Sequence, residues 1–152
     1  MISRQIGSYS YAQDIKVNTF DGDSNFIVGK FCSIGDNLEL YFYENHRTDW
    51  ITTYPFGHMH KDIFNTFDGI GHPRTNGDIV IGNDIWIGKN VSIMSGITIG
   101  DGAVLAAYSH VVKNIEPYTI YGGNPARLIK YRFSKEIIDI LLQFSEKESP
   151  WL

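Results

Sequence analysis

Aliphatic side chains return at every sixth position in the second half of this chain. They stand at Ile81, Ile87, Ile93, Ile99, Leu105 and Val111. A helix would repeat its apolar residues every three or four positions and a strand every second, so neither element explains a period of six. A short strand followed by a turn, stacked around a prism, does explain it. The repeat therefore predicts a coil of parallel strands.

Small or β-branched residues lie four positions after the aliphatic ones. They are Ile85, Val91, Ile97, Ala103 and Ser109. We expect both sets to fill one core. Intervening pairs such as Asn83-Asp84 and Asp101-Gly102 suit tight corners, because asparagine and glycine tolerate a positive φ, and these corners are expected to face water. Weaker copies of the pattern begin at Ile6, Val28 and Ile34, so the coil is predicted to begin near the N-terminus.

Length and composition narrow the possible functions. The 152 residues are predicted to form a single domain, 1–152, which is a common size for one core. With 13 basic and 17 acidic residues, the net charge of -4 argues against nucleic acid as a partner. The absence of a long apolar segment predicts a cytoplasmic protein without membrane insertion. The single cysteine, Cys32, occupies an inward position of the repeat and is predicted to lie in the core.

The repeat is interrupted by a segment of about 41–77, which is rich in aromatic residues. A segment of this length cannot be absorbed into a prism, so we expect it to project as a loop, and long ordered loops often carry function. After the coil, Ser134 precedes an amphipathic pattern that predicts a short α-helix over about 134–144. Trp86 is predicted to point outward from the coil, where it would line a cleft or a subunit contact.

Four of the five histidines lie in the loop. His46 has several polar neighbours, and imidazole is the side chain best suited to take up a proton near neutral pH. His58, His60 and His72 lack the spacing of a metal site, so we expect them to be exposed to solvent and predict no metal. His110 lies within the coil, and we expect it to face a side wall without an assigned role.

Three motifs occur in a characteristic order. The first is NHRTD at residues 45–49, followed by TYPF at 53–56. The second is IGNDIWIG at 81–88, and the third is YGGNPA at 121–126. Together they resemble the hexapeptide-repeat acyltransferases, and specifically the xenobiotic branch that includes streptogramin and type B chloramphenicol acetyltransferases. The resemblance extends from about residue 28 to residue 142.

This resemblance implies an all-β fold, a left-handed parallel β-helix, assembled as a homotrimer with active sites between subunits. It also implies acetyl-coenzyme A as the donor and His46 as the catalytic histidine. Three loop residues would orient that histidine or contact the acceptor: Asn45, Asp49 and Tyr54. The residues expected to contact the coenzyme are Trp86, Ala106, Ala107, Ser109, Lys113, Asn124, Pro125, Ala126, Lys130 and Arg132.

Several functions remain open on the sequence alone. The predicted activity is O- or N-acetylation of a small acceptor, and the aromatic loop favours a sugar or a nucleotide-linked amino sugar of surface polysaccharide biosynthesis. The first alternative is an acetyltransferase of the streptogramin or chloramphenicol type that inactivates antibiotics. An alternative of another class is a trimeric scaffold or binding module without catalysis. A metal-dependent hydratase on the same coil would need three converging histidines, and the regular coils contain only His110.

Overall fold

A computed structural model describes residues 1–20, 22–66 and 68–146. At residues 145 and 146 it describes only the backbone. Three sheets form the faces of a prism. The first sheet contains β1 (Ile2–Ile6), β4 (Ser24–Val28), β7 (Ile79–Ile81) and β10 (Thr98–Ile99). The second contains β2 (Tyr11–Ala12), β5 (Ser33–Ile34), β8 (Trp86–Ile87), β11 (Val104–Leu105), β13 (Thr119–Gly122) and β14 (Arg127–Tyr131). The third contains β3 (Ile15–Asn18), β6 (Leu38–Tyr41), β9 (Ser92–Met94) and β12 (His110–Val111).

From β1 to β12 the chain visits the three sheets in turn, and from β4 onward each of these strands pairs in parallel with the strand one turn earlier. Ser92 and His110, which face each other in β9 and β12, are 18 residues apart, which is three six-residue units. Across the interruption the separation rises to 53, as between Asn37 and Asn90. The additional residues form the loop of 42–78, between β6 and β7. The predicted coil of parallel strands is therefore confirmed.

The core follows the repeat. All six aliphatic residues from Ile81 to Val111 are buried, as are the residues four positions after them. Cys32 is buried as predicted, and this burial raises the pKa of its thiol. Ile6 differs, because 47% of it is exposed. It pairs with Val28 and lies in β1, the edge strand of the first sheet, which pairs on one side only.

The corners carry the left-handed backbone that the sequence suggested. Asp84, Asn90 and Tyr108 have φ values of 53°, 57° and 63°, and Gly102 has a φ of 68°. The expectation that the corners face water is wrong at Gly102, which is buried. A Cβ there would lie 2.3 Å from the ring of Tyr118, so glycine is required for this close approach as well as for its φ.

The coil ends in a hairpin and a helix. Strand β14 pairs antiparallel with β13, and α1 (Lys135–Glu146) follows, close to the predicted 134–144. Its residues Ile137, Ile140 and Phe144 are exposed, whereas Ile138 faces a cavity between the helix and the end of the coil. In the described part of the chain, no helix combines the length and the apolar character needed to cross a membrane.

Candidate active site

The two ends of the loop lie side by side, because Asn45 near its start is bridged to Arg74 near its end. Phe42, directly after β6, is completely buried in the core and holds the first end of the loop. Near the other end, Arg74 forms an antiparallel bridge with Asn45: the amide of Arg74 donates to the carbonyl of Asn45 at 2.8 Å, and the reverse bond is 3.3 Å long. His46 follows this bridge, so its backbone is fixed next to the coil.

The side chain of His46 has a defined partner. Its Nδ1 lies 2.7 Å from the carbonyl oxygen of Thr53. A carbonyl can only accept a hydrogen bond, so we assign the proton to Nδ1 and the lone pair to Nε2. A histidine in this tautomer can accept a proton at Nε2.

His46 lines a cleft of about 650 Å³ between the loop and the corner that joins the third sheet to the first. The cleft also contains the cationic side chains of Arg74 and Lys113, and no carboxylate is among the described residues that line it. The remaining lining residues are Asn45, Thr48, Asn76, Met94, Ser95, Gly96, Ile97, Val112 and Asn114. The local charge is therefore positive, although the whole chain carries -4. Such a cleft favours an anionic ligand or a developing negative charge.

A second cavity, of about 660 Å³, lies within the loop itself. It is lined mainly by aromatic and apolar side chains: Trp50, Ile51, Tyr54, Phe56 and Phe64, with Asp49, Thr52 and Thr66. The rings of Tyr54 and Phe56 lie 4.7 Å apart, and those of Phe56 and Phe64 lie 4.6 Å apart. This wall can bind an apolar molecule or the face of a ring.

The three predicted partners of His46 are thus divided between two cavities. Asn45 lies with His46 in the positive cleft, whereas Asp49 and Tyr54 line the aromatic cavity. Asp49 accepts two hydrogen bonds from Arg47, at 2.7 and 2.5 Å, and this pairing lowers the pKa of Asp49 to about 2. Asp49 is consequently a carboxylate engaged by Arg47, and the group that orients His46 is the carbonyl of Thr53.

Two loop histidines are less exposed than predicted. His58 and His72 are half-buried, with their Nδ1 atoms 3.0 Å apart, and the ring of His72 lies 4.6 Å from that of His46. The expectation of solvent exposure is therefore wrong for His58 and His72 and confirmed for His60. Nothing in the sequence spacing indicated this cluster, because it joins residues 14 positions apart. Among the described residues, no group of three or more His, Cys, Asp and Glu side chains is arranged to hold a metal ion.

Most of the predicted coenzyme contacts lie on another side of the prism. Trp86, 60% exposed, projects from the second sheet, and Ala106 and Ala107 follow β11 at the next corner. Asn124, Pro125 and Ala126 stack above that corner, where the amide of Ala126 donates to the carbonyl of His110 at 2.8 Å. Lys130 lies on β14 at the edge of the same sheet. The exposed members of this group share one wall, whereas the side chain of Ala126 is buried in the core, contrary to its predicted contact with the coenzyme. The cleft of His46 opens at a different corner.

Three of the predicted coenzyme contacts lie elsewhere. Ser109 is buried, and its hydroxyl donates to the carbonyl of Ala106 at 2.6 Å, so its side chain faces the core. Arg132 donates to the carbonyl of Gly102 and lies 3.7 Å from Asp84, which engages it at the end of the coil. Lys113 lines the cleft of His46. Sequence reasoning did not select Arg74, the second cation of that cleft, because only folding brings it beside Asn45.

His110 is in its expected place on a side wall, in the third sheet. The hydroxyl of Ser92 lies 2.7 Å from its Nδ1. The two residues are paired across β9 and β12, away from the lining of the cleft that contains His46.

Known proteins resemble this chain in sequence and in fold. Residues 78–113 match the family of bacterial transferase hexapeptide repeats (six repeats). A probable macrolide acetyltransferase of Lysinibacillus sphaericus is 51% identical over 125 residues, which are 82% of this chain and 69% of that protein. A chloramphenicol acetyltransferase of Escherichia coli is 43% identical over 129 residues, which are 82% of this chain and 60% of that protein. This chain thus spans less than two thirds of the chloramphenicol relative.

The fold is similar to the crystal structure of a maltose O-acetyltransferase from Clostridium difficile 630, with a TM-score of 0.54 and 25% sequence identity. The alignment covers 88% of this chain and 65% of that structure. The two sequence relatives above share more identical residues with this chain, at 51% and 43%.

Proposed function

This chain belongs to the hexapeptide-repeat acyltransferases, in their xenobiotic acetyltransferase branch, and on that basis we propose that it acetylates a hydroxyl or amine group of a small acceptor with acetyl-coenzyme A. The observation that carries the proposal is the 2.7 Å contact between Nδ1 of His46 and the carbonyl oxygen of Thr53, from which the tautomer of His46 is assigned. The hydrogen bond from Nδ1 to Thr53 leaves Nε2 as a base at the positive cleft. A scaffold without catalysis would have no need of a histidine oriented in this way.

His46 acts as the general base in this proposal. Its Nε2 takes the proton from the acceptor as the acceptor atom attacks the thioester carbonyl carbon. The tetrahedral intermediate then collapses, the carbon–sulfur bond breaks, and the proton held by His46 passes to the departing thiolate. A backbone N–H at the cleft stabilises the oxyanion. Cys32 is completely buried, so it does not form an acyl-enzyme.

The coenzyme is proposed to lie against the wall that carries Trp86, Ala106 and Ala107. The alanine side chains leave room beside an exposed indole, which fits a ligand that packs along the sheet. Because this wall and the cleft of His46 lie on different sides of one protomer, we propose that a neighbouring protomer supplies the wall. A trimer of left-handed β-helices, with a site at each boundary, would bring the two together.

Replacing Trp86 by alanine is expected to weaken coenzyme A binding by roughly tenfold. Covering an aromatic side chain contributes on the order of 1.5 kcal/mol, which corresponds to about that factor. Isothermal titration calorimetry with coenzyme A measures the change. Tyr11 is the matched control, because it lies on the same sheet and is also 60% exposed. If the dissociation constant of the Trp86→Ala protein stayed at the wild-type value, the proposed wall would be wrong.

We propose that the acceptor is a hydroxylated antibiotic of the macrolide or chloramphenicol type. Relatives that are 51% and 43% identical to this chain carry these names, and the aromatic cavity of the loop, of about 660 Å³, supplies an apolar surface. The earlier prediction of a sugar acceptor has support in the maltose O-acetyltransferase structure and in the same rings, which can stack on a pyranose. We retain it as the second candidate, and a thiol-release screen with acetyl-coenzyme A against antibiotics, glycans and nucleotide-linked amino sugars decides between them.

Tyr54 distinguishes the two acceptor classes. Tyr54→Ala is expected to raise KM for either class by about tenfold, because it removes a ring of the cavity wall. Tyr54→Phe keeps the ring and loses the hydroxyl, so KM for an apolar antibiotic is expected to stay near the wild-type value. A sugar that depends on hydroxyl hydrogen bonds would lose affinity in both variants. Steady-state KM values, with coenzyme affinity as the control, report the difference; an unchanged KM in Tyr54→Ala would exclude this cavity as the acceptor site.

A further inference from the structure

His46 lines two cavities. One is the large positive cleft, and the other is a smaller cavity of about 140 Å³ formed by Phe20 and by loop residues that include His58 and His72. His72 lines only the smaller one of these two. The imidazole of His46 is thus exposed to the cleft on one side and packed against another histidine in the loop interior.

A single hydrogen bond does not fix the plane of the His46 ring. The bond to Thr53 holds the Nδ1 atom, and the ring could still tilt about the line from Nδ1 to the carbonyl oxygen. The ring of His72 restricts this tilt, because it stands nearly perpendicular to the ring of His46, at an interplanar angle of 85° and a centroid distance of 4.6 Å. Perpendicular packing is a favourable arrangement of aromatic rings.

His72 is itself held by its surroundings. Its Nδ1 lies 3.0 Å from the Nδ1 of His58, and the ring of Trp50 lies 6.3 Å from its own ring. Two positions later, Arg74 forms the backbone bridge to Asn45, so the segment that carries His72 is fastened next to the segment that carries His46. The Nε2 atom of His72 is buried and has no hydrogen-bond partner. A buried nitrogen without a hydrogen-bond partner lowers the stability of the fold, so its presence calls for an explanation, and a functional role of the ring provides one.

We propose that His72 is a positioning residue, whose ring keeps His46 in the orientation from which Nε2 receives the proton of the acceptor. This inference rests on the proposed function of His46 as the base. It adds a residue that neither the sequence motif nor the cleft lining contains. His72 acts through His46 and does not touch the acceptor.

The charge state of His72 is consistent with this role. Burial lowers the pKa of His72 below its ordinary value of 6.5, and the charges of His46 and His58 lower the pKa further. A neutral His72 does not oppose the positive charge that His46 gains during proton transfer. A cation at the same position would oppose it.

The test uses His72→Ala and His72→Phe in the full chain. His72→Ala is expected to lower kcat by roughly tenfold to a hundredfold and to leave KM nearly unchanged, because a misaligned base slows the chemical step. His72→Phe keeps a flat ring at this position and is expected to restore most of kcat. His60→Ala, an exposed histidine of the same loop, is the matched control and should behave like the wild type.

A second readout does not depend on activity. Nitrogen-15 spectra of labelled histidines report which ring nitrogen of His46 carries the proton. In all three proteins the carbonyl of Thr53 is expected to keep the proton on Nδ1. In His72→Ala the Nε2 resonance of His46 is expected to shift and broaden, because the ring is free to tilt, whereas His72→Phe should keep the wild-type resonance. If His46→Ala proved fully active, the proposed function would fail, and these spectra would still decide whether His72 positions His46.

Three results would overturn the proposal. The first is a His72→Ala protein with wild-type kcat and an unchanged His46 spectrum. The second is a loss of kcat without any change in the His46 resonances, because the effect would then not pass through His46. The third applies if His72→Ala does not fold. A folded His72→Phe protein that loses kcat and shows a shifted and broadened Nε2 resonance of His46 would exclude a role for ring shape.

Discussion

Replacing His46 by alanine is expected to reduce turnover by about a hundredfold or more, and to leave coenzyme A affinity nearly unchanged. General base catalysis by a positioned side chain accelerates a reaction by a factor of about 10² to 10⁴. Alanine has no nitrogen that could take the place of the imidazole held by the carbonyl of Thr53 and accept the proton. The coenzyme is proposed to bind mainly to the wall of Trp86, which this change does not touch. A coupled assay of thiol release measures kcat, and calorimetry measures binding.

The appropriate control is His60→Ala, which removes an exposed imidazole from the same loop. It should retain wild-type turnover, so any general effect of a histidine substitution on the loop would be visible. A His46→Ala protein as active as the wild type would show that another group takes the proton. A loss of coenzyme binding equal to the loss of turnover would instead assign His46 to binding.

Replacing Phe42 by alanine is expected to lower the free energy of unfolding by about 3–5 kcal/mol. The side chain is completely buried, and removing a buried phenylalanine loses its hydrophobic contribution and leaves a cavity that the rigid coil cannot close. Phe42 joins the core to the loop, so the loss also loosens the first end of the loop. Denaturant unfolding at a fixed protein concentration measures the change, since subunit association would make stability depend on concentration.

Phe144→Ala is the comparison for this measurement, because that phenylalanine is 59% exposed on α1. Its expected effect is below about 0.5 kcal/mol in either direction. Equal effects at the two positions would indicate that Phe42 is not part of a packed core. A large effect of Phe42→Ala together with wild-type kcat at low temperature would indicate that the loop is held in place by its bridge at Asn45 alone.

The coil could be predicted from sequence because its order is local. Each six-residue unit supplies its own strand, its own corner and two inward side chains, so the positions of Ile87 or Leu105 follow from counting. The exposed face of Trp86 follows from the same count. The end of the pattern could also be predicted, since glycine and proline near residue 123 interrupt the repeat.

The site could be predicted only in part, because its contacts are made by the loop folding on itself. The motif identified His46 as the candidate, and the resemblance named Asn45, Asp49 and Tyr54 as residues that would orient it or contact the acceptor. The actual partner is a backbone carbonyl at Thr53, and a backbone group leaves no signature in a side-chain pattern. The approach of His72 to His46 likewise depends on the bridge between Asn45 and Arg74. Neither contact has a fixed sequence spacing.

The most direct measurement is a crystal structure of the protein with bound coenzyme A. In the proposed assembly, the sulfur atom of the coenzyme lies at the cleft that contains His46, on the side of Nε2, and the coenzyme packs against Trp86 of a neighbouring protomer. The gap between the sulfur and Nε2 should accommodate one acceptor group. A coenzyme bound far from His46, with that imidazole facing bulk solvent, would contradict the account.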